Sequence, residues 1–296
     1  MDWVIYSLLG AAVLIALLTL VQHHRHSRRD AGQSLELNLD ACRTLLALTA
    51  HFQQHRGMSS AWLAGDKGFG SKLENKSREI EGLFQALRPL ADSESGKPHP
   101  CLTANELSLF RHRWGGLRER LGQLSVEQSI VEHSQLIEQL LRWLAALGEA
   151  RLEPLVAGRG ERNLVRNYAI RLPALTECLG QARAVGLSVT TRGHCSAVAR
   201  VRLLFLIARA ESILKQAGEG GAMNRQAEHA VQHMVRLLRQ RVLGAGGVAL
   251  GAQEYFDDAT RAVDAVFAWI ADNGRVLSDA GIGASVGRPG GSYALS

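Results

Sequence analysis

His51–Asp66 reads HFQQHRGMSSAWLAGD. Before it, Leu35, Leu39, Cys42, Leu46 and Thr49 recur at alternating four- and three-residue spacing, the mark of a buried seam on a helix. The same stepping continues onto Gln53, Arg56, Ser60 and Leu63. The chain therefore sets a glutamine and an arginine where core residues belong, and follows them with Gly57 and two serines. An inward-facing arginine must find an anion, because an unpaired buried guanidinium is costly.

Helical patterning extends over the rest of the 296 residues, of which 46% are hydrophobic and 21% charged. No alternating apolar/polar strand bounded by turn residues is present. The expected architecture is all-α: two four-helix bundles in tandem with long central helices, preceded by one N-terminal transmembrane helix. The first bundle is expected over 33–150. Its helices are Gln33–Ala64, Ser71–Leu87 (stopped by Pro89), Thr103–Leu121 and Ser125–Leu147, with a loop at Asp92–Pro100. The second is expected over 151–280, after a break carrying Pro154, Gly158 and Gly160. Its helices are Asn163–Thr191, with a candidate kink at Pro173, then Ser196–Gln216, Met223–Leu243 and Ala252–Leu277. The tail 281–296 is too rich in glycine and serine to pack and reads as disordered.

Trp3–Val21 (WVIYSLLGAAVLIALLTLV) carries no charge, and about 20 apolar residues suffice to cross a bilayer as a helix. No Lys or Arg precedes it and no small-residue cleavage site is clear, which favours an anchor over a signal peptide. Residues 22–32 form a basic juxtamembrane linker containing HHRHSRR, His23–Arg29. Arg25, Arg28 and Arg29 put the body in the cytoplasm by the positive-inside rule, with the periplasm as the alternative.

Much of the net charge of +6 sits in that run, and the other arginines alternate with acids along helices, so no nucleic-acid surface is expected. Cys42, Cys101, Cys178 and Cys195 are scattered, which reads as free thiols rather than a disulfide or zinc framework. His51 and His55 lie four apart without a third ligand, and His194–Cys195 lacks an orienting partner. No phosphate-binding loop or nucleophile elbow is present. No enzyme, metal or cofactor is expected.

The two halves repeat one plan: QHRGM at Gln54–Met58 matches QARAV at Gln181–Val185, each following an apolar seam. Two outcomes are open for Arg56 and Arg183. Either they pair with core-facing glutamates or reach solvent, or they face each other and grip a planar oxyanion through their donor forks. In the second case Gly57, Ser59, Ser60 and Gly186 would supply room and hydroxyl donors.

LTAHFQQHRGMSSAWLAGD (Leu48–Asp66) resembles the opening helix of NIT domains, the bacterial nitrate- and nitrite-sensing family, with its Gln-x-x-Arg-Gly-x-Ser-like run. LTECLGQARAVGLSVTTRG (Leu175–Gly193) is similar to that family's second arginine-bearing helix. EYFDDATRAVDAVF (Glu254–Phe267) resembles its late helix through Tyr255, Phe256, Thr260 and Asp264. The resemblance implies paired four-helix bundles with the anion held between Arg56 and Arg183. It also implies a basic residue before the first arginine, where this chain has His55, and a later arginine, Arg236 or Arg239. The function so implied is a non-catalytic sensor of nitrate or nitrite in the bacterial inner membrane, acting as a possible homodimer through a separate output partner. The alternative is a scaffold whose anion site is degenerate.

Overall fold

The structure, a computed structural model, describes residues 2–156, 161–219 and 224–286. All regular elements among them are helical. Helix α1, Asp2–Leu63, is one uninterrupted helix of 62 residues, about 90 Å long at the usual rise. It passes through the expected linker 22–32 because that stretch holds no proline, and a nucleated helix extends at little cost. Most side chains of Trp3–Val21 lie outside the described residues. Among the described residues no helix is long and apolar enough to cross a membrane. Gly65, at φ +117°, ends the helix in a conformation that glycine adopts without strain.

Helix α2, Gly70–Ser95, runs straight through Pro89, where a stop was expected, and takes in the first residues of the expected loop. An interior proline costs a helix about 3 kcal/mol, and the turn beyond it is anchored. Ala91 and Glu94 are fully buried there. The Glu94 carboxylate accepts from Arg151 (Nε 2.9 Å, Nη2 2.8 Å) and from the Cys101 backbone N–H (2.9 Å), and it pairs with Lys97. Burial alone would raise the Glu94 pKa; these donors instead hold it at about 2.

Helices α3 (Ala104–Arg120) and α4 (Val126–Leu147) each start at a capping box, Thr103 with Glu106 and Ser125 with Gln128. A π turn at Gly148–Leu152, the short helices α5 (Glu153–Val156) and α6 (Arg162–Arg166), and a second π turn at Asn167–Arg171 lead into the other half. The two π turns touch: a Cβ on Gly148 would lie 2.5 Å from that of Ala169. Helix α7 is Leu172–Arg192, so Pro173 sits in its first turn, where it needs no hydrogen bond.

Helices α8 (Ala197–Glu219), α9 (Arg225–Leu237) and α10 (Ala252–Val286) complete the chain. Helix α10 runs to Val286, past Gly281 where the tail is expected to start; 287–296 lie outside the described residues. Helix α1 packs on α2, α4 and α10, α7 packs on α8 and α10, and α9 packs on α10. Trp114, Trp143 and Trp269 are buried in the core. The seams of α1 and α7 also meet, and that contact sets the site.

Candidate functional site

The polar stretch of the α1 seam is buried. Gln53 and Arg56 are 2% and 1% exposed, and Ser59 is fully enclosed. Ser59 Oγ lies 3.1 Å from His55 Nδ1, and what receives Gln53 and Arg56 is Glu177, on the first turns of α7. Arg56 donates from Nη1 to Glu177 Oε1 at 2.6 Å and from Nη2 to Oε2 at 3.1 Å, a bidentate pair. Gln53 Nε2 donates to Oε2 at 3.1 Å and Gln181 Nε2 to Oε1 at 2.9 Å. Arg56 also donates to Ser134 Oγ of α4 at 2.8 Å. The carboxylate thereby ties α1 to α7, and Arg56 ties both to α4.

Arg183, a turn and a half further along α7, is different. It is half-buried, donates to Thr260 Oγ1 of α10 at 3.1 Å, and lies over the Phe256 ring. Among the described residues no carboxylate is within ion-pair distance of it. Burial, and then the charge of Arg56, pull its pKa below the ordinary arginine value. Its guanidinium opens onto a cavity of about 810 Å³ between α1, α7 and α10, lined also by Gln53, Gly57, Lys76 and Asp264. At Gly57 an added Cβ would meet nothing within 4 Å, so the α1 wall is open there.

Arg56 and Arg183 thus lie close enough to perturb each other, but of the two only Arg183 borders the cavity. Ser60 turns its hydroxyl to the Arg56 carbonyl (2.9 Å) rather than to the cavity. Gly186 leaves room for a protein group: Tyr255 donates to the Ala182 carbonyl at 2.6 Å, and a Cβ on Gly186 would fall 2.2 Å from the tyrosine oxygen. Arg236 and Arg239 line a separate groove between α8 and α9, where Arg239 pairs with Glu211.

His55 points away from both arginines, into the α1–α4 core. Its Nδ1 is 2.8 Å from His133 Nε2, and its ring packs against Trp114. His133 Nδ1 is 2.6 Å from the Ser129 carbonyl, an obligate acceptor, so that nitrogen carries the proton. His133 Nε2 then accepts from His55, and His55 Nε2 accepts from Ser77 Oγ at 3.3 Å. Burial drives the His55 pKa down to about 2 and that of His133 down to about 4. The pair is neutral and contributes no charge to an anion site. His51 turns elsewhere, to Lys76 and Glu79. Among the described residues no cluster of three or more His, Cys, Asp or Glu is placed to hold a metal.

A family model described as nitrate and nitrite sensing matches residues 47–273, most of the chain and every element of this site. The chain belongs to the NIT family. A solved structure, that of the NasR transcription antiterminator, superposes with a TM-score of 0.67 at 16% identity, covering 92% of this chain and 76% of that one. At that identity the likeness speaks for the fold. No curated protein matches the chain.

In this NIT chain the residue that sequence reading missed is Glu177. No acid neighbours Arg56 in sequence, but a glutamate inside the apolar run Leu172–Leu179 was the available signal that α7 carries a buried charge. Gln53 was visible as an odd seam residue, and its partner explains it.

Proposed function

We propose that the chain is a membrane-anchored sensory domain that takes up nitrate or nitrite at the α1–α7 contact. In this scheme its helices work as two four-helix bundles. Trp3–Val21 forms a single-pass anchor in the bacterial inner membrane, with the body on the cytoplasmic side. The observation that carries the reading is Arg183: a half-buried guanidinium without a carboxylate partner, bordering a cavity beside a second buried arginine, in a chain of the nitrate- and nitrite-sensing family. A small planar oxyanion would supply the missing acceptor and relieve the repulsion from Arg56. By drawing on Arg56 it would compete with Glu177 and so shift α7 against α1. Because α1 is continuous from Asp2 to Leu63, a displacement at Gln53 and Arg56 reaches the N-terminal segment without a break. A separate protein would read that displacement.

Titration of the full chain in detergent with nitrate, followed by calorimetry, tests this. Saturable binding below about 1 mM that vanishes in Arg183→Ala supports the sensor. The Arg56–Glu177 pair favours a second reading, a scaffold whose site is closed by its own carboxylate. Absence of any saturable heat with nitrate or nitrite would select it.

A further inference from the structure

The cavity beside Arg183, about 810 Å³, is far larger than nitrate or nitrite needs and lies in the range of sites that enclose organic ligands. Much of its wall is apolar, including Met58, Leu187, Phe256 and Phe267. Two polar groups of opposite charge border it without an ion pair between them. Arg183 has one neutral acceptor and no carboxylate. Asp264, at the exposed mouth, has no hydrogen bond or ion pair among the described residues.

An inorganic anion would answer only the first of these. It would leave Asp264 without a donor, and it would sit near that carboxylate, which opposes it. A ligand with a carboxylate and an ammonium group answers both, and an apolar side chain would fill the remaining space.

We propose that this cavity binds an α-amino acid with a large apolar side chain. Its carboxylate rests on Arg183, its ammonium turns toward Asp264, and its side chain packs against Met58, Phe256 and Phe267. This goes beyond the nitrate reading and shares Arg183 with it, so the two ligands compete.

The test is calorimetric titration of the full chain in detergent with L-phenylalanine, L-leucine and 3-phenylpropionate, which lacks the amino group. At least one amino acid is expected to bind saturably, and 3-phenylpropionate about tenfold or more weakly, the usual effect of losing a charge-assisted hydrogen bond. Arg183→Ala abolishes amino-acid binding. Asp264→Asn weakens it about tenfold or more while leaving nitrate binding in place, since the lost charge repels nitrate. Thermal melts by circular dichroism check that the variants fold, and the 3-phenylpropionate comparison on the unaltered chain needs no variant. The proposal is overturned if neither amino acid binds, if 3-phenylpropionate binds as well as phenylalanine, or if Asp264→Asn binds the amino acid unchanged. Nitrate binding without amino-acid binding overturns it and leaves the nitrate reading standing; amino-acid binding without nitrate binding does the reverse.

Discussion

Arg56 and Glu177 face each other inside the protein as a bidentate pair, with contacts of 2.6 and 3.1 Å and both side chains almost wholly buried. The two carboxylate oxygens take the parallel donor positions on the guanidinium that a planar oxyanion would occupy. Gly180 permits the arrangement, since a Cβ there would lie 2.8 Å from Arg56 Nη2. Glu177 therefore acts as a resident anion, and its removal should expose what Arg56 requires.

Glu177→Ala is expected to lower stability by about 3–5 kcal/mol, the usual cost of leaving one member of a buried ion pair behind. The loss reads as a lower urea midpoint. Nitrate added to the variant should recover part of it by mass action on the folded state, and chloride at equal ionic strength should not. Glu177→Gln keeps the volume and one acceptor and should cost less. A midpoint unchanged in Glu177→Ala would mean that Arg56 finds water or another acceptor at no expense.

Arg183→Ala should behave oppositely. With one neutral hydrogen bond to Thr260 and no ion pair, its loss changes stability by about 1 kcal/mol or less. Any thermal stabilisation by nitrate should disappear with it. A large destabilisation would show that Arg183 is a structural residue and would remove the basis for a ligand there.

The sequence made the all-helical class and most helix starts legible because those are local facts: seam spacing, and capping boxes such as Thr103–Glu106 and Ser125–Gln128. It misplaced the end of α2 because Pro89 is a local signal overruled by a distant one, the grip of Arg151 on Glu94. It showed Arg56 on a buried seam, but the partner of Arg56 lies 121 positions away. His55 was misread for the same reason. Its neighbours in sequence are Gln54 and Arg56, but its neighbours in space are His133, Ser77 and Trp114.

Gly186 offers a test of close packing between α7 and α10. Gly186→Ala would put a methyl group 2.2 Å from the Tyr255 oxygen, in a fully buried place. The ring must shift and give up its bond to the Ala182 carbonyl. The expected cost is about 1–3 kcal/mol for overpacking, against about 1 kcal/mol for Tyr255→Phe, which loses the hydrogen bond alone. Equal midpoints in chemical denaturation for the two variants would mean that the helices move apart freely at this level.

The His55–His133 pair predicts how stability depends on pH. In the unfolded chain both imidazoles titrate near about 6.5; in the fold burial lowers them to about 2 and about 4. Between the folded and unfolded values the unfolded state binds more protons, so stability falls as the pH drops. The contribution is fully present above about pH 6.5, declines below it, and ends for His133 at about pH 4. The slope is at most about 1.4 kcal/mol per pH unit for each histidine. Carboxylates titrate at the lower end of the same range, so the measurement is a difference: thermal melts from pH 7.5 to 4.5 for the unaltered chain and for the double variant His55→Gln, His133→Gln. Amides keep much of the bonding capacity and cannot titrate, so the variant should lose less stability on acidification. Parallel curves would show that the two rings are already protonated or solvated in the folded protein, which the Ser129 carbonyl and the Trp114 ring around them argue against.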